Sequence, residues 1–299
     1  MDKKIRVAVV GYGNIGKYVL DTLAHTADME VAGVVRRDAT NIPAALKKYI
    51  VTNKIGELKE VDVAIICLPS RLIEDTAKDI LAQGIHTVDS FDIHPKIVGL
   101  KKALDEVAKK HEVVSVVSSG WDPGSDSVVR ALMQAMAPSG ITYTNFGPGM
   151  SMGHSVAVKA FDGVVDALSI TIPIGTGIHR RMVYVELEEG IELDAVSKEI
   201  KSDAYFMNDE THVFQVSDVD ELKDMGHGVV MERKGASGST QNQLFTYGMQ
   251  VNNPALTAQM LINAARASMR QQPGAYTLID IPVVDLLPGS SDEWIDRLV

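Results

Sequence analysis

The chain has 299 residues, 45% hydrophobic and 23% charged, with a formal net charge of -10. That length bounds about two domains and allows a large core, while the negative charge disfavours nucleic acid or an anionic membrane as a partner without excluding an anionic small ligand, which answers only to the local field. Cys67 is the one cysteine, so no intramolecular disulfide is possible; the apolar runs in MDKKIRVAVVGYG and VAIICL are too short for a signal peptide or a membrane span, and the expectation is a cytoplasmic protein.

IRVAVVG, at 5–11, is a continuous apolar, β-branched run, the pattern of a strand buried on both faces. Beyond Asn14 the period changes, and Ile15, Val19, Leu20 and Leu23 share one helical face. MEVAGVV predicts a second strand. VDVAIICLP predicts another, ended by Pro69, after which Ser70 is placed to cap a helix over about 71–83. IHTVDS reads as a strand, Ile97, Leu100, Leu104 and Val107 mark a helix, VVSVVSS is the next strand, and Val129, Leu132, Met133 and Met136 mark one more helix. Strands alternating with helices through short connections imply an α/β, doubly wound parallel sheet of Rossmann type.

Past about Ser139 the strands themselves alternate. In DALSITIPIG, Leu168, Ile170, Ile172 and Ile174 face one way and Ser169 and Thr171 the other; HRRMVYVELE, HVFQVSDV, HGVVMER and NQLFTYGMQVN follow. This predicts a largely antiparallel sheet with one face on helices, one of them at about 193–200, in a second, α+β domain. A helical pattern returns at Pro254, with Leu256, Met260, Leu261 and Ala264. The expected division is a dinucleotide-binding domain at 1–120, completed by about 254–299, and a domain for substrate binding and subunit contact at 121–253.

The dinucleotide is read from GYGNIG. Gly11, Gly13 and Gly16 form G-x-G-x-x-G between a strand and a helix: the first glycine makes the tight turn, the second admits a pyrophosphate to the backbone, and the third lets helix pack on strand. Tyr12, Asn14 and Ile15 ride on the same turn and join the expected cofactor set. An acidic residue about 20 positions on would hold the ribose of NAD. That place holds Arg36, followed by Arg37. A carboxylate there repels a 2′-phosphate and a guanidinium pairs with it, so the two argue for NADP; the other reading is a solvated charge pair at a strand end.

Cys67, Leu68, Pro69 and Ser70 end another central strand, at the edge where ligands lie in this fold. Cys67 reads as a small buried apolar residue rather than a nucleophile. The loops VDSFDIH and SSGWDPGSDS follow strands at the same edge and bring Ser90, Phe91, Asp92, Gly120, Trp121, Asp122, Pro123 and Gly124 to the cofactor. Asp92 and Asp122 fall near the expected nicotinamide, where two carboxylates hold a substrate ammonium and either accepts its proton. Asp122 reads equally well as a helix cap with Pro123 in the first turn, and Asn253 before Pro254 carries the same ambiguity. Arg181 shares the apolar side of its strand with Val183, Val185 and Leu187, so it needs a partner: a ligand carboxylate or an internal acid. Taken alone, His227, between two glycines, reads as a turn residue with its ring in water. No histidine pair has H-x-x-x-H spacing and no metal site is expected; serine-hydrolase and P-loop patterns are absent.

Taken in order, GYGNIG, VVRR, CLPS, DSFDIH, GWDPG, NFGPGMSMGHS, HRRMVY, HGVVMERKG and NNPALTA resemble the meso-diaminopimelate dehydrogenase family over nearly the whole chain, in particular its shorter, thermostable-type branch. The resemblance implies NADP-dependent oxidative deamination of meso-2,6-diaminopimelate at its D-centre to L-2-amino-6-oxopimelate and ammonia, in lysine biosynthesis, by a homodimer or higher homo-oligomer. By motif match it places Asp92, Trp121 and Asp122 at the reacting end of the substrate, shaped by Phe146 and the backbone of Met152 and Gly153. Thr171, Arg181, His227 and Asn253 fall at the distal L-amino acid end. Phe146 stands where other members have tryptophan, which implies a roomier pocket. The rival readings are a related NADP-dependent reductase of aspartate or dihydrodipicolinate type, and a non-catalytic NADP-binding regulator. The latter would leave Asp92, Asp122 and Arg181 with no shared ligand.

Overall fold

The computed structural model describes residues 3–223 and 226–299. The chain divides into two compact units, Met1–Ala131 with Pro254–Val299, and Leu132–Asn253.

In the first unit the order is β1 (Ile5–Val10), α1 (Asn14–Ala24), β2 (Met29–Val35), β3 (Val51–Thr52), β4 (Val63–Ile66), α2 (Ile73–Leu81), β5 (His86–Asp89), α3 (Ile97–Lys110), β6 (Val114–Val116) and the start of α4 (Ser125–Met136). After the second unit, α7 (Asn253–Ser268), β14 (Gly274–Tyr276) and α8 (Ser291–Leu298) close the chain. The sheet runs β14-β6-β5-β4-β1-β2-β3, with every pairing parallel. Successive residues of β1 serve opposite faces, which is why its run is apolar throughout. Val7 and Val9 pack with α1 and with Ala258, Leu261 and Ile262 of α7. Ala8 and Val10 pack with Ile73 and Leu81 of α2 and Leu100 and Leu104 of α3. Strand order reverses direction at the β1–β4 boundary, so a crevice forms at the carboxyl ends there.

The second unit holds β7 (Ser139–Phe146), β8 (Gly149–Met150), α5 (Met152–Val158), β9 (Val164–Gly175), β10 (Ile178–Leu187), α6 (Leu193–Ser202), β11 (Glu210–Gln215), β12 (Gly226–Ser237) and β13 (Thr240–Asn252). Instead of the single sheet expected, the strands form two: β11-β10-β9-β8, in which β10 and β11 run parallel, and antiparallel β13-β12-β7. The chain crosses from one sheet to the other at FGPGM. Gly147 has φ +97°, and a Cβ there would lie 2.3 Å from the Thr171 carbonyl oxygen. At Gly149 a Cβ would lie 2.2 Å from the Gly226 oxygen. Only glycine permits these approaches. Nor does β9 keep one polar face: Ser169 and Thr171 are as buried as Leu168. On their side Ala167, Val183 and Val185 pack with Val196 and Ile200 of α6. No described helix is long and apolar enough to cross a membrane.

An ion pair with a buried guanidinium ties α7 to the turn before β2. Arg266 donates from Nε and Nη2 to the two oxygens of Asp28, at 2.6 and 3.0 Å, and from Nη1 to the Leu286 carbonyl at 3.0 Å. Hydrogen bonding to that guanidinium holds the Asp28 carboxyl below its usual 3.8. Asp28 is itself 38% exposed, so water replaces part of what a truncation removes. We expect Arg266→Ala to lower the unfolding free energy by about 2 kcal/mol in urea melts at pH 7. Because the folded-state value is depressed, the part of this difference due to the Asp28 charge is fully present above the unfolded value and declines as pH falls through the lowered one. The gap between the two proteins therefore narrows below about pH 4.

Candidate functional site

The glycine turn is fixed by hydrogen bonds to its neighbouring strands: Gly11 N–H donates to Val35 O at 2.8 Å, and Cys67 N–H to Val10 O at 2.7 Å. Three glycines have three different surroundings. A Cβ on Gly11, at φ +100°, would meet the Cys67 carbonyl oxygen at 2.5 Å, and one on Gly16 the Gly11 oxygen at 2.2 Å. A Cβ on Gly13 meets nothing within 4 Å. Gly13 also occupies the N-cap of α1 with no side-chain cap, and the first turn, Asn14 and Ile15 included, has no acidic residue. An open backbone and unfilled helix N–H groups suit a pyrophosphate. Lys17 lies over the Tyr12 ring at 5.9 Å from its centroid.

Arg36 continues β2, its N–H on Thr52 O at 2.9 Å, and its Nη1 donates to Asn41 O at 2.7 Å; Arg37 is exposed. The nearby carboxylate, Asp38, is spent on its own loop. One oxygen accepts from Thr40 N–H at 2.9 Å, Thr40 Oγ1 at 2.7 Å and Asn41 N–H at 3.1 Å, and these bonds lower its pKa to about 2. Two guanidinium groups thus stand at this strand end beside the ionised Asp38, whose acceptor oxygen is engaged by its own loop, and they fit a dinucleotide carrying a further phosphate. A cavity of about 460 Å³ abuts Val10 and Val35 and is lined by Ile55, Gly56, Thr76 and Gln83. Cys67 packs against the core, and burial pushes its thiol up to about 12, so it is no nucleophile at neutral pH. Leu68 packs on the opposite face of the sheet.

Ser70 does not cap a helix. Pro69 precedes a 3-10 turn, Ser70–Leu72, and α2 begins at Ile73 with no side-chain cap. The Ser70 hydroxyl instead donates to Asp92 Oδ1 at 2.6 Å and accepts Asp92 N–H at 3.2 Å, joining the loops after β4 and β5. Asp89, buried at the end of β5, joins the loops after β5 and β6. Its Oδ1 accepts Phe91 N–H at 2.9 Å and Ser118 N–H at 3.0 Å, and its carbonyl accepts Ser119 N–H at 2.8 Å and Ser119 Oγ at 2.9 Å. Ser90, Phe91, Asp92, Gly120 and Trp121 are thus held on a stapled pair of loops.

Asp122 is not a cap either, since α4 begins at Ser125, beyond Pro123 and Gly124. Its carboxyl lies within hydrogen-bonding reach of Asp126, and Arg130 Nη2 is 3.9 Å from Asp122 Oδ1. That Oδ1 atom is buried, and no described residue donates to it. Burial raises the pKa of Asp122. Burial and the neighbouring Asp122 carboxylate push Asp126 to about 7. His94, beside these acids, is held below its usual value by burial.

In the second unit Arg181 is paired internally, so the acid that the sequence left open exists. Its Nε donates to Asp209 Oδ2 at 2.7 Å and its Nη1 to Thr171 Oγ1, the residue directly opposite on β9. No described residue takes Nη2, which keeps a donor for a further carboxylate. His227 departs from the reading as a wet turn: it lies on β12, buried, its Nδ1 at 2.7 Å from Gly228 N. Burial holds it below its usual pKa, with Arg181 and His179 acting in the same direction. His179 Nε2 accepts Phe146 N–H at 2.8 Å, and its ring lies 5.7 Å from the Phe146 ring. Met152 opens α5, followed by Gly153, and packs against Met150, Leu168 and Val219. Asn253 is buried and begins α7.

Sequence reading missed Asp89, Asp126, Arg130, His179 and Asp209. Spacing signals existed for three of these. Asp126 and Arg130 stand four apart on one helical face, and His179 is two before Arg181 on a strand. Asp209 precedes β11, whose parallel pairing with β10 carries no local signature.

With this geometry in place, comparisons locate the chain among known proteins. A model of the oxidoreductase family, NAD-binding Rossmann fold, matches residues 5–118, and one of the diaminopimelic acid dehydrogenase C-terminal domain matches 120–179. Over 298 residues the chain is 64% identical to the meso-diaminopimelate D-dehydrogenase of Bacteroides fragilis, covering 99% of this chain and 100% of that one. It is 36% identical to the enzyme of the same name from Lysinibacillus sphaericus, covering 99% of each. The solved structure of C. glutamicum DAP dehydrogenase in complex with DAP superposes with a TM-score of 0.91 at 30% identity, covering 100% of both chains. An engineered D-amino acid dehydrogenase bound to NADP+ gives 0.88 at 28%, covering 99% of this chain and 100% of that one.

The glycines separate packing from ligand contact. Gly16→Ala should destabilise the unliganded protein by about 1–3 kcal/mol, because its methyl meets backbone. Gly13→Ala should leave unliganded stability within about 0.5 kcal/mol and weaken dinucleotide binding about tenfold or more, because its methyl enters the open face. Thermal melts without ligand and fluorescence titration with the dinucleotide read the two effects separately.

Proposed function

The chain belongs to the meso-diaminopimelate dehydrogenase family, and from that premise we infer that it oxidatively deaminates meso-2,6-diaminopimelate at its D-configured centre, reversibly, with NADP as cofactor. The products are L-2-amino-6-oxopimelate and ammonia, which places the reaction in lysine biosynthesis. NADP, when bound, supplies the hydride acceptor that turns the amine into an imine for water to hydrolyse. Gly11–Gly16 would hold its pyrophosphate and Arg36 and Arg37 its 2′-phosphate. Within the first unit, Cys67–Ser70, Ser90–Asp92 and Gly120–Gly124 would line the rest, which makes this unit the dinucleotide-binding domain.

One observation carries the assignment of the reacting end: the buried Asp122 Oδ1 that no described residue donates to. A buried carboxylate oxygen in that state is a site for a donor such as a substrate ammonium. With Asp92 it would bind the reacting ammonium and take its proton, leaving a neutral amine. Trp121, Phe146, Met152 and Gly153 would shape this end. Thr171, Arg181, His227 and Asn253 would hold the distal amino acid, with Arg181 on its carboxylate; Asp209 and Thr171 keep the guanidinium in one orientation before substrate arrives. The same reading makes the second unit the substrate-binding and subunit-contact domain of a cytoplasmic homodimer. Supporting self-contact, Ile141, Val230 and Leu244 stand exposed on the three-stranded sheet.

Two tests follow. Replacing Arg36 and Arg37 with alanine should weaken NADP about 10- to 150-fold and NAD far less, since one forked charged contact is worth about 1.5–3 kcal/mol; equal losses for both cofactors would refute the phosphate role. The second supplies the meso, LL and DD isomers with NADP and follows NADPH and ammonia together. The meso isomer should turn over rapidly. The LL isomer should scarcely react, because inversion turns its hydrogen away from the near-attack position, and the DD isomer should be poor. Rapid LL turnover, or NADPH without ammonia, would sink the assignment.

A further inference from the structure

Asp126 is not among the groups assigned to meet substrate, yet its carboxyl lies within hydrogen-bonding reach of Asp122, which is. It is fully buried in the first turn of α4. Its backbone N–H donates to Trp121 O at 3.0 Å, which fixes the helix start against the loop carrying Asp122. Its Oδ2 accepts from Arg130, its Oδ1 accepts from Ser127 Oγ at 3.1 Å, and its carboxyl faces that of Asp122. Ser127 Oγ in turn accepts Gly124 N–H at 3.2 Å. The charged and titratable groups around Asp126 are Asp122 from the loop after β6, Arg130 from its own helix and His94 from the 3-10 turn after β5. Asp92 acts on the group through Asp122.

Two carboxyl groups at hydrogen-bonding reach in a buried site do not ionise independently: the second charge is resisted by the first. Here Arg130 offsets one of the two charges, at contact with Asp126 and 3.9 Å from Asp122. We propose that Asp122 and Asp126 act as a single proton-accepting pair, with Asp126 as the positioning residue that sets the basicity of Asp122 and Arg130 as the counter-charge that keeps the pair from holding its proton too tightly. In the forward reaction an N–H bond of the substrate ammonium breaks and an O–H bond forms on Asp122. The electron pair of the N–H bond stays on nitrogen as the amine lone pair. The proton is shared with Asp126 and later leaves to water. Burial and the Asp122 charge, which bring Asp126 to about 7, place this exchange within reach of neutral pH. The inference rests on the family reading given above and adds a residue to it.

The test is the pH profile of kcat/KM for meso-diaminopimelate oxidation at saturating NADP, measured on the intact enzyme. Asp126→Asn removes the like charge, so Asp122 becomes a weaker base. The acidic limb should move down by about one pH unit or more, and kcat on the alkaline plateau should fall about tenfold. Arg130→Gln removes the counter-charge, so the limb should move up by about one unit. A residue with only a structural role would lower activity without moving the limb in opposite directions in the two variants. An unmoved limb in folded Asp126→Asn, or an unmoved or downward limb in Arg130→Gln, overturns the proposal. If Asp126→Asn does not fold, the Arg130→Gln arm decides alone. Failure of the unmodified enzyme to produce NADPH from the meso isomer would instead sink the family reading, so the two failures are distinct.

Discussion

One buried carboxylate oxygen, Asp89 Oδ1, accepts N–H groups from two loops that leave different strands. Each loop carries one of the aspartates assigned to the reacting amine. Their separation is therefore set by a residue that faces neither of them. Burial raises Asp89 to about 6, while the Ser118 and Phe91 N–H groups act the other way and favour the ionised form that accepts them. The staple and the charge support each other: without the two donors the carboxylate would protonate, and without the carboxylate the donors would be buried unpaired. Ser70 extends the connection to a third loop through Asp92. The carboxyl ends of β4, β5 and β6 form one hydrogen-bonded assembly, which explains how side chains on irregular backbone, the proposed catalytic aspartates among them, hold a fixed geometry.

The second unit solves the same problem with the opposite sign. The partly buried Arg181 guanidinium takes the place of the buried carboxylate, and Thr171 and Asp209 hold two of its edges. Both units thus hold a charged group by pairing it with donors or acceptors from separate segments. Arg233 shows the contrasting structural use. It is more deeply buried than Arg181, and donates to the Ala137 and Pro138 carbonyls and to Thr142, so its donors go to the protein.

What the sequence made legible follows how local each cause is. The parallel sheet was readable because each strand is buried on both faces, and the glycine turn because its three glycines fall within six consecutive residues, two of them where a side chain would meet backbone and one on the open face. The cationic strand end was readable by counting along one segment. Ser70, Asp122 and His227 were misread or left open for a common reason: their local sequence offers a turn or cap, and tertiary contacts give them something else. Ser70 finds Asp92 across 22 residues, and Arg181 finds Asp209 across 28. The partition into two sheets was hidden in FGPGM, where positive φ values at Gly147 and Gly149 turn the chain. In α7 the expected stripe holds at Leu261 and Ala264, which are fully buried, while Leu256 and Met260 are half-buried and Ala258 and Ile262, outside the stripe, are fully buried. Small residues that fit close to a sheet leave a weak hydropathy signal.

The placement of β14 has a consequence for the order in which the chain is made. The first sheet ends at β6 until Gly274–Tyr276 arrives to pair with Val114–Val116. Its β1 face lacks the alanine-rich surface of α7 until about the same point. A ribosome must therefore emit all of the second unit before the first can close. During that interval β6 is an open edge of a parallel sheet, the kind of surface that accepts a wrong partner. The entropy of bringing the ends together rises only as the logarithm of the intervening length, so the long insertion costs little at equilibrium. Its cost is time, spent with an unfinished edge exposed.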